Sequence, residues 1–121
     1  RDFCLSRGLG DVYKRQHLGC VVVCSGKIDV ITDGKDVNLI SNGCEMLSRI
    51  TGTGCMLNVA IATFLASYSP LLACIKATCY YEVAAEKTKS EGPGTFHMRF
   101  MDEIYKLTSF DESLFKIEVL G

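Results

Sequence analysis

Residues 49–62 read Arg-Ile-Thr-Gly-Thr-Gly-Cys-Met-Leu-Asn-Val-Ala-Ile-Ala, a two-glycine turn that runs without a proline into an apolar helix. The first N–H groups of such a helix have no carbonyl one turn earlier to bond, so those of Gly52, Thr53, Gly54 and Cys55 point outward together and suit an anion. Glycine at 52 and 54 permits positive φ and lets a ligand approach the backbone without meeting a Cβ, which is the geometry of an anion-holding nest. Phosphate is the natural guest. The plainer alternative is a tight loop whose helix is capped by Thr53 or Thr51. Cys55 falls in the first turn, where the partial positive charge of the helix end favours a thiolate.

Two further groups of residues carry weaker signals. Ser25 follows the run Cys20-Val21-Val22-Val23-Cys24 and so stands at the carboxyl end of a buried strand, the edge at which open α/β sheets bind ligands. Glu82 and Glu86, four residues apart, share a helix face and are read as a solvated pair near a helix end. His97 has no metal-ligand partner at a useful spacing. Tyr80 and Tyr81 are read as core and rim rather than as a platform for a base.

The elements that must position these groups follow in order. The Cys20–Cys24 run is β-branched and apolar, as in a strand buried on both faces. Residues 27–32 and 35–40 flank Asp33-Gly34, which predicts an exposed antiparallel hairpin with a type I′ turn. A helix from Cys55 to about Ser67, with Met56, Val59, Ala60, Thr63 and Phe64 along one side, is expected to be buried almost all round. Ser69-Pro70 opens a second helix that reaches about Lys87, and Pro70 suits its first turn. Residues 89–94 break it. A third helix begins at Thr95, with Phe96, Phe100, Ile104 and Leu107 recurring at helical intervals. Residues 114–119 alternate, as an edge strand or a tail would.

Composition narrows the classes. At 121 residues and 48% hydrophobic content the chain makes at most one domain with a sizeable core. A net charge of −1 without a basic run leaves no footprint for nucleic acid, and the apolar stretch at 55–66 is too short to span a membrane. Seven cysteines without a CxxC pair, and two histidines, spell neither a zinc site nor a disulfide framework, so no metal ligands are assigned and a reducing cytoplasm is the simplest compartment. Residues 1–16 show neither helical nor strand periodicity, carry no signal-peptide core and resemble a translated adaptor. They are set aside as a non-native leader, and residues 17–121 are read as a domain truncated at its N-terminal side.

Four ordered blocks, Val22-Val23-Cys24-Ser25-Gly26 through Thr32-Asp33-Gly34, Ile50-Thr51-Gly52-Thr53-Gly54-Cys55-Met56-Leu57, Tyr81-Glu82-Val83-Ala84-Ala85-Glu86-Lys87 and Gly92-Pro93-Gly94-Thr95-Phe96 through Leu107, resemble the C-terminal portion of hydroxyethylthiazole kinases. The resemblance implies a ribokinase-like three-layer α/β/α sandwich around a mostly parallel sheet, present here as a C-terminal fragment. It also implies MgATP-dependent phosphorylation of 4-methyl-5-(2-hydroxyethyl)thiazole in thiamine biosynthesis or salvage, by a homotrimer with sites between subunits. In those terms Gly52, Thr53, Gly54 and Cys55 form the anion hole, Cys55 is either the base or a bystander that shapes the site, and Gly52 lies beside the substrate alcohol. Ser25, Thr53 and Gly54 contact ATP, with Ser25 standing where the family carries a threonine. The groups around magnesium belong to the half not represented. The alternatives are a hydroxymethylpyrimidine phosphate kinase, disfavoured by Gly92-Pro93-Gly94-Thr95-Phe96, and a catalytically incomplete nucleotide-binding fragment.

Overall fold

The computed structural model describes residues 3–6, 20–106 and 112–120. Five strands, β1 Phe3–Ser6, β2 Val21–Cys24, β3 Asp29–Thr32, β4 Val37–Ile40 and β5 Ile117–Leu120, lie in one sheet in sequential order. Three α-helices, α1 Thr53–Leu65, α2 Pro70–Lys87 and α3 Pro93–Lys106, stand between β4 and β5 in the chain. A 3-10 helix, Glu45–Arg49, leads toward α1, and a shorter one, Glu112–Leu114, leads toward β5.

The expected mostly parallel sheet is corrected by the pairing. β1 runs parallel to β2, but β2–β3, β3–β4 and β4–β5 are antiparallel. The reason is the length of the links. Residues 25–28 and 33–36 are too few for the crossover that a parallel pair needs, so β2, β3 and β4 turn back on one another, while β5 returns antiparallel to β4 only after the three helices. β1 itself lies in the stretch that the sequence reading set aside as a leader. His17 and Leu107 lie outside the described residues.

β2 is buried on both faces, as its composition requires. Val21 and Val23 join Ile31, Ile40 and the helices in the main core, and Cys20, Val22 and Cys24 form a second cluster with Val30. The hairpin is less exposed than expected, because Ile31 and Ile40 are fully buried under α2. Its loop is also not a type I′ turn. Only Gly34 takes positive φ (95°), and the Asp33 carboxylate accepts the N–H groups of Lys35 at 2.9 Å and Asp36 at 3.0 Å. That side-chain turn fixes a four-residue loop without needing αL at the aspartate.

α2 is the central helix, with ten buried residues, and it packs on the sheet, on α1 and on α3. Small residues at 73, 77, 84 and 85 let it approach closely. α1 departs from its expected burial. Leu57 and Ile61 face inward, while Cys55, Val59, Ala62 and Thr63 are exposed, Val59 by 68%. A helix that is apolar on every side carries no sequence signal for which side will be covered. α3 starts two residues earlier than expected, with Pro93 in the first turn, and anchors itself by Phe96 and Phe100. β5 forms the edge of the sheet, exposed along its length. Asn42 ties it down. Its Nδ2 donates to Glu86 Oε1 and to the Leu114 carbonyl, both at 2.9 Å, and its Oδ1 accepts the Lys116 N–H at 2.6 Å.

Candidate functional site

The two-glycine turn folds as an uncapped helix start. Gly52 is the residue before α1, at φ 89°, and no side chain caps the helix, so neither Thr51 nor Thr53 plays the part allowed by the plainer reading. The first intrahelical bond runs from the Met56 N–H to the Gly52 carbonyl at 3.0 Å. The N–H groups of Thr53, Gly54 and Cys55 therefore precede the helical ladder. A Cβ placed on Gly52 or Gly54 would meet nothing within 4 Å. Gly52 is required by its backbone angle. Gly54 is required neither by angle nor by space within the chain, so the surface above it is open for an approaching group. Cys55 is exposed beside it.

Ser25 stands half-buried immediately after β2, at the carboxyl end of that strand. The turn it begins is held from below. The Gly26 N–H donates to Asp29 Oδ1 at 3.0 Å, and Asp29 is only 2% exposed, on the sheet face shared with Ile31. The buried carboxyl of Glu82, on α2, lies beside that of Asp29. Burial, and then the neighbouring Asp29 carboxyl, push the Glu82 carboxyl from its ordinary 4.5 up to about 11. The expectation of a solvated Glu82–Glu86 pair is thus corrected. Glu82 is 8% exposed and turned to the sheet, whereas Glu86 is exposed and accepts the Asn42 side chain and the Gly43 N–H. An i, i+4 spacing places two residues on one side of a helix but does not say where the sheet lies.

Tyr81 is buried and donates its hydroxyl to the Thr53 carbonyl at 2.8 Å, joining α2 to the first turn of α1. Its ring meets Phe100 edge-on, with centroids 5.0 Å apart. Tyr80 is partly buried at the rim, beside Phe64, as the sequence suggested. Burial raises the thiols of Cys74 and Cys79 to about 12, which marks them as inert core residues. His97 is exposed. Among the described residues no three His, Cys, Asp or Glu side chains converge to hold a metal.

The structure therefore brings Thr53, Gly54 and Cys55 together at one helix start and connects both that start and the Ser25 turn to α2. Asp29, Tyr81 and Glu82 were not identified as part of this arrangement from sequence. One signal was present, since Asp29 shares the period-2 face of Ile31 and an inward aspartate needs a partner. An open cleft of about 340 Å³ lies elsewhere, lined by Glu45, Met46, Arg49, Glu91, Gly92 and Pro93, and none of the phosphate-contact candidates borders it.

Comparison with known proteins agrees with the sequence blocks. The pattern of the hydroxyethylthiazole kinase family matches residues 13–110. A hydroxyethylthiazole kinase of Pyrococcus furiosus is 42% identical over 108 residues, covering 87% of this chain and 41% of the relative. One of Archaeoglobus fulgidus is 46% identical over 97 residues, covering 78% of this chain and 36% of the relative. The solved structure of a hydroxyethylthiazole kinase protein from Pyrococcus horikoshii superposes with a TM-score of 0.86 at 26% identity, over 99% of this chain and 55% of that one. The chain spans less than half the length of these two curated relatives. With the pattern matched over most of its residues, the chain belongs to the hydroxyethylthiazole kinase family.

Proposed function

We propose that this chain is the ATP-side part of an enzyme that phosphorylates the hydroxyl of 4-methyl-5-(2-hydroxyethyl)thiazole for thiamine biosynthesis or salvage. The observation that carries the reading is the uncapped, open start of α1 at Gly52, Thr53, Gly54 and Cys55, within a chain of this family. Phosphoryl transfer needs in-line positioning and compensation of charge on the group in flight, more than covalent chemistry from the protein. The N–H groups of Thr53, Gly54 and Cys55 supply that compensation, and one such donor is worth on the order of 3 kcal/mol in comparable anion holes. ATP supplies the phosphoryl group. Ser25 holds its phosphate through the hydroxyl, and Gly52 leaves room for the alcohol.

Cys55 is exposed at the mouth of this helix and takes the role of base or of a wall of the site. Magnesium is the expected companion of ATP, but the described residues form no cluster of ligands for it, so its ligands are sought in the remainder of the polypeptide. The larger fold in this reading is the ribokinase-like α/β/α sandwich, to which this antiparallel part contributes one portion. The whole enzyme is a cytoplasmic homotrimer. The exposed apolar face of α1 supports assembly, and the free thiols of Cys44, Cys55, Cys74 and Cys79 support a reducing compartment. No helix among the described residues is long and apolar enough to cross a membrane.

The test is phosphorylation of the thiazole alcohol by the whole gene product, with the 121-residue chain assayed beside it. Turnover by the long form supports the reading. Nucleotide binding without turnover on the thiazole alcohol would move the assignment to another acceptor or to a binding role.

A further inference from the structure

Tyr81 and Glu82 are neighbours on α2, and consecutive helical residues point in different directions. Each reaches one of the two segments to which phosphate contacts are assigned. We propose that this pair positions those segments relative to each other, Tyr81 fixing the peptide between Thr53 and Gly54, and Glu82 fixing, through Asp29, the peptide between Ser25 and Gly26. The inference rests on the phosphoryl-transfer reading and adds three positioning residues to it.

A trans peptide is a rigid plate whose C=O and N–H point to opposite sides. The Tyr81 hydroxyl holds the Thr53 oxygen at 2.8 Å, and that oxygen belongs to the same plate as the Gly54 N–H. Anchoring the carbonyl on the protein side therefore aims the N–H at the open surface. Tyr81 is itself immobilised, 5% exposed and wedged edge-on against Phe100, which stacks on Phe96 at 5.4 Å. The second plate is held by the opposite atom. The Gly26 N–H is bound by Asp29 Oδ1 at 3.0 Å, which fixes the Ser25 carbonyl and with it the direction in which residue 25 leaves β2.

Asp29 can serve as that acceptor only if its buried neighbour is not a second negative charge. Two carboxyl groups side by side away from water do not both ionise, and Glu82 is the one that burial and its neighbour hold protonated. Glu86 on the same helix and Cys44 from the loop after β4 face it as well and push in the same direction. Glu82 Oε2 has no partner among the described residues, a smaller cost for the carbonyl oxygen of a neutral acid than for a carboxylate. Gly43 closes over the pair. It sits at φ 117°, and a Cβ there would stand 3.4 Å from Glu82 Cδ.

Tyr81→Phe, Glu82→Gln and Glu82→Ala in the whole gene product test the proposal, with ATP varied at saturating thiazole alcohol and the folded fraction of each variant measured. Tyr81→Phe is expected to lower kcat about tenfold with KM for ATP within about twofold, because the Gly54 N–H acts on the group in flight. Glu82→Ala is expected to raise KM for ATP about tenfold, while Glu82→Gln, a neutral donor of the same length, stays within about twofold of the parent in both constants. A merely structural role would change the amount of folded enzyme and leave both constants per folded molecule alone, which overturns the proposal. Equal damage from Gln and Ala at position 82 overturns it too. Should Glu82→Ala fail to fold, the kcat of Tyr81→Phe decides alone. If the parent enzyme neither turns over nor binds a non-hydrolysable ATP analogue, the phosphoryl-transfer reading fails and takes this inference with it; turnover by the parent with an unaffected Tyr81→Phe defeats only the inference.

Discussion

Gly52 and Gly54 stand two residues apart, yet the physical demands on them differ. Gly52 holds φ 89°, so Gly52→Ala should cost about 1–2 kcal/mol in a urea titration besides weakening nucleotide binding. Gly54 lies inside the first turn of α1 at an ordinary angle with open space above it, so Gly54→Ala should leave stability unchanged or raise it by up to about 1 kcal/mol. Turnover should nevertheless fall, because the new methyl stands where the phosphate approaches. A variant that gains stability and keeps full turnover would remove Gly54 from the anion hole. The cysteines divide in a similar way. Cys55 is exposed, while burial pushes the Cys74 and Cys79 thiols up to about 12. Brief alkylation of the native protein should label Cys55 well before either core thiol, and ATP should slow that labelling, as read by peptide mass mapping. The two-glycine signal and the position of Ser25 were legible from residue types alone. The partners beneath them were not, because a hydrogen bond between Tyr81 and Thr53 depends on how two helices cross.

At the scale of elements, α2 is the part on which the others depend. Its Glu82 makes stability depend on pH with a definite sign. The carboxyl is raised to about 11 in the folded protein against 4.5 ordinarily, so the folded state retains a proton that the unfolded chain releases. The stabilising contribution of the protonated Glu82 is whole below about pH 4.5 and is lost as pH rises toward about 11, at no more than about 1.4 kcal/mol per pH unit. Glu82→Gln should flatten that fall, measured as unfolding free energy between about pH 5 and pH 9. Parallel slopes for parent and variant would show that Glu82 ionises freely. One turn further along the helix, Asn42 joins β4, α2 and β5 through Glu86, Leu114 and Lys116. Asn42→Ala should cost about 1–3 kcal/mol, since the part-buried Leu114 carbonyl and Lys116 N–H lose this side-chain partner. The loosening should appear first as faster amide exchange in β5, whose four residues are otherwise exposed.

In the molecule as a whole one helix is well covered and its two neighbours keep bare apolar residues. α2 is sealed between sheet and helices, but Val59 on α1 is 68% exposed, and Met98, Met101 and Tyr105 on α3 are 72%, 47% and 88% exposed. Apolar surface of this kind favours association. The 121-residue chain is accordingly expected to sediment with a mass that rises with concentration, and Val59→Glu should reduce the effect. Concentration-independent monomers would argue that the exposed face of α1 needs no cover.

The sequence by itself determined the family, the glycine turn, the doubly buried β2, the three helices and the antiparallel hairpin, because each is written in local spacing or in short ordered blocks. Tertiary structure alone decided that the sheet here is largely antiparallel, that α1 has a bare side, and that Glu82 is buried beside Asp29. Those outcomes depend on which surfaces meet. A uniformly apolar helix can bury any side and a glutamate pair can face water or protein, so only the packing of α2 between sheet and helices chooses among them.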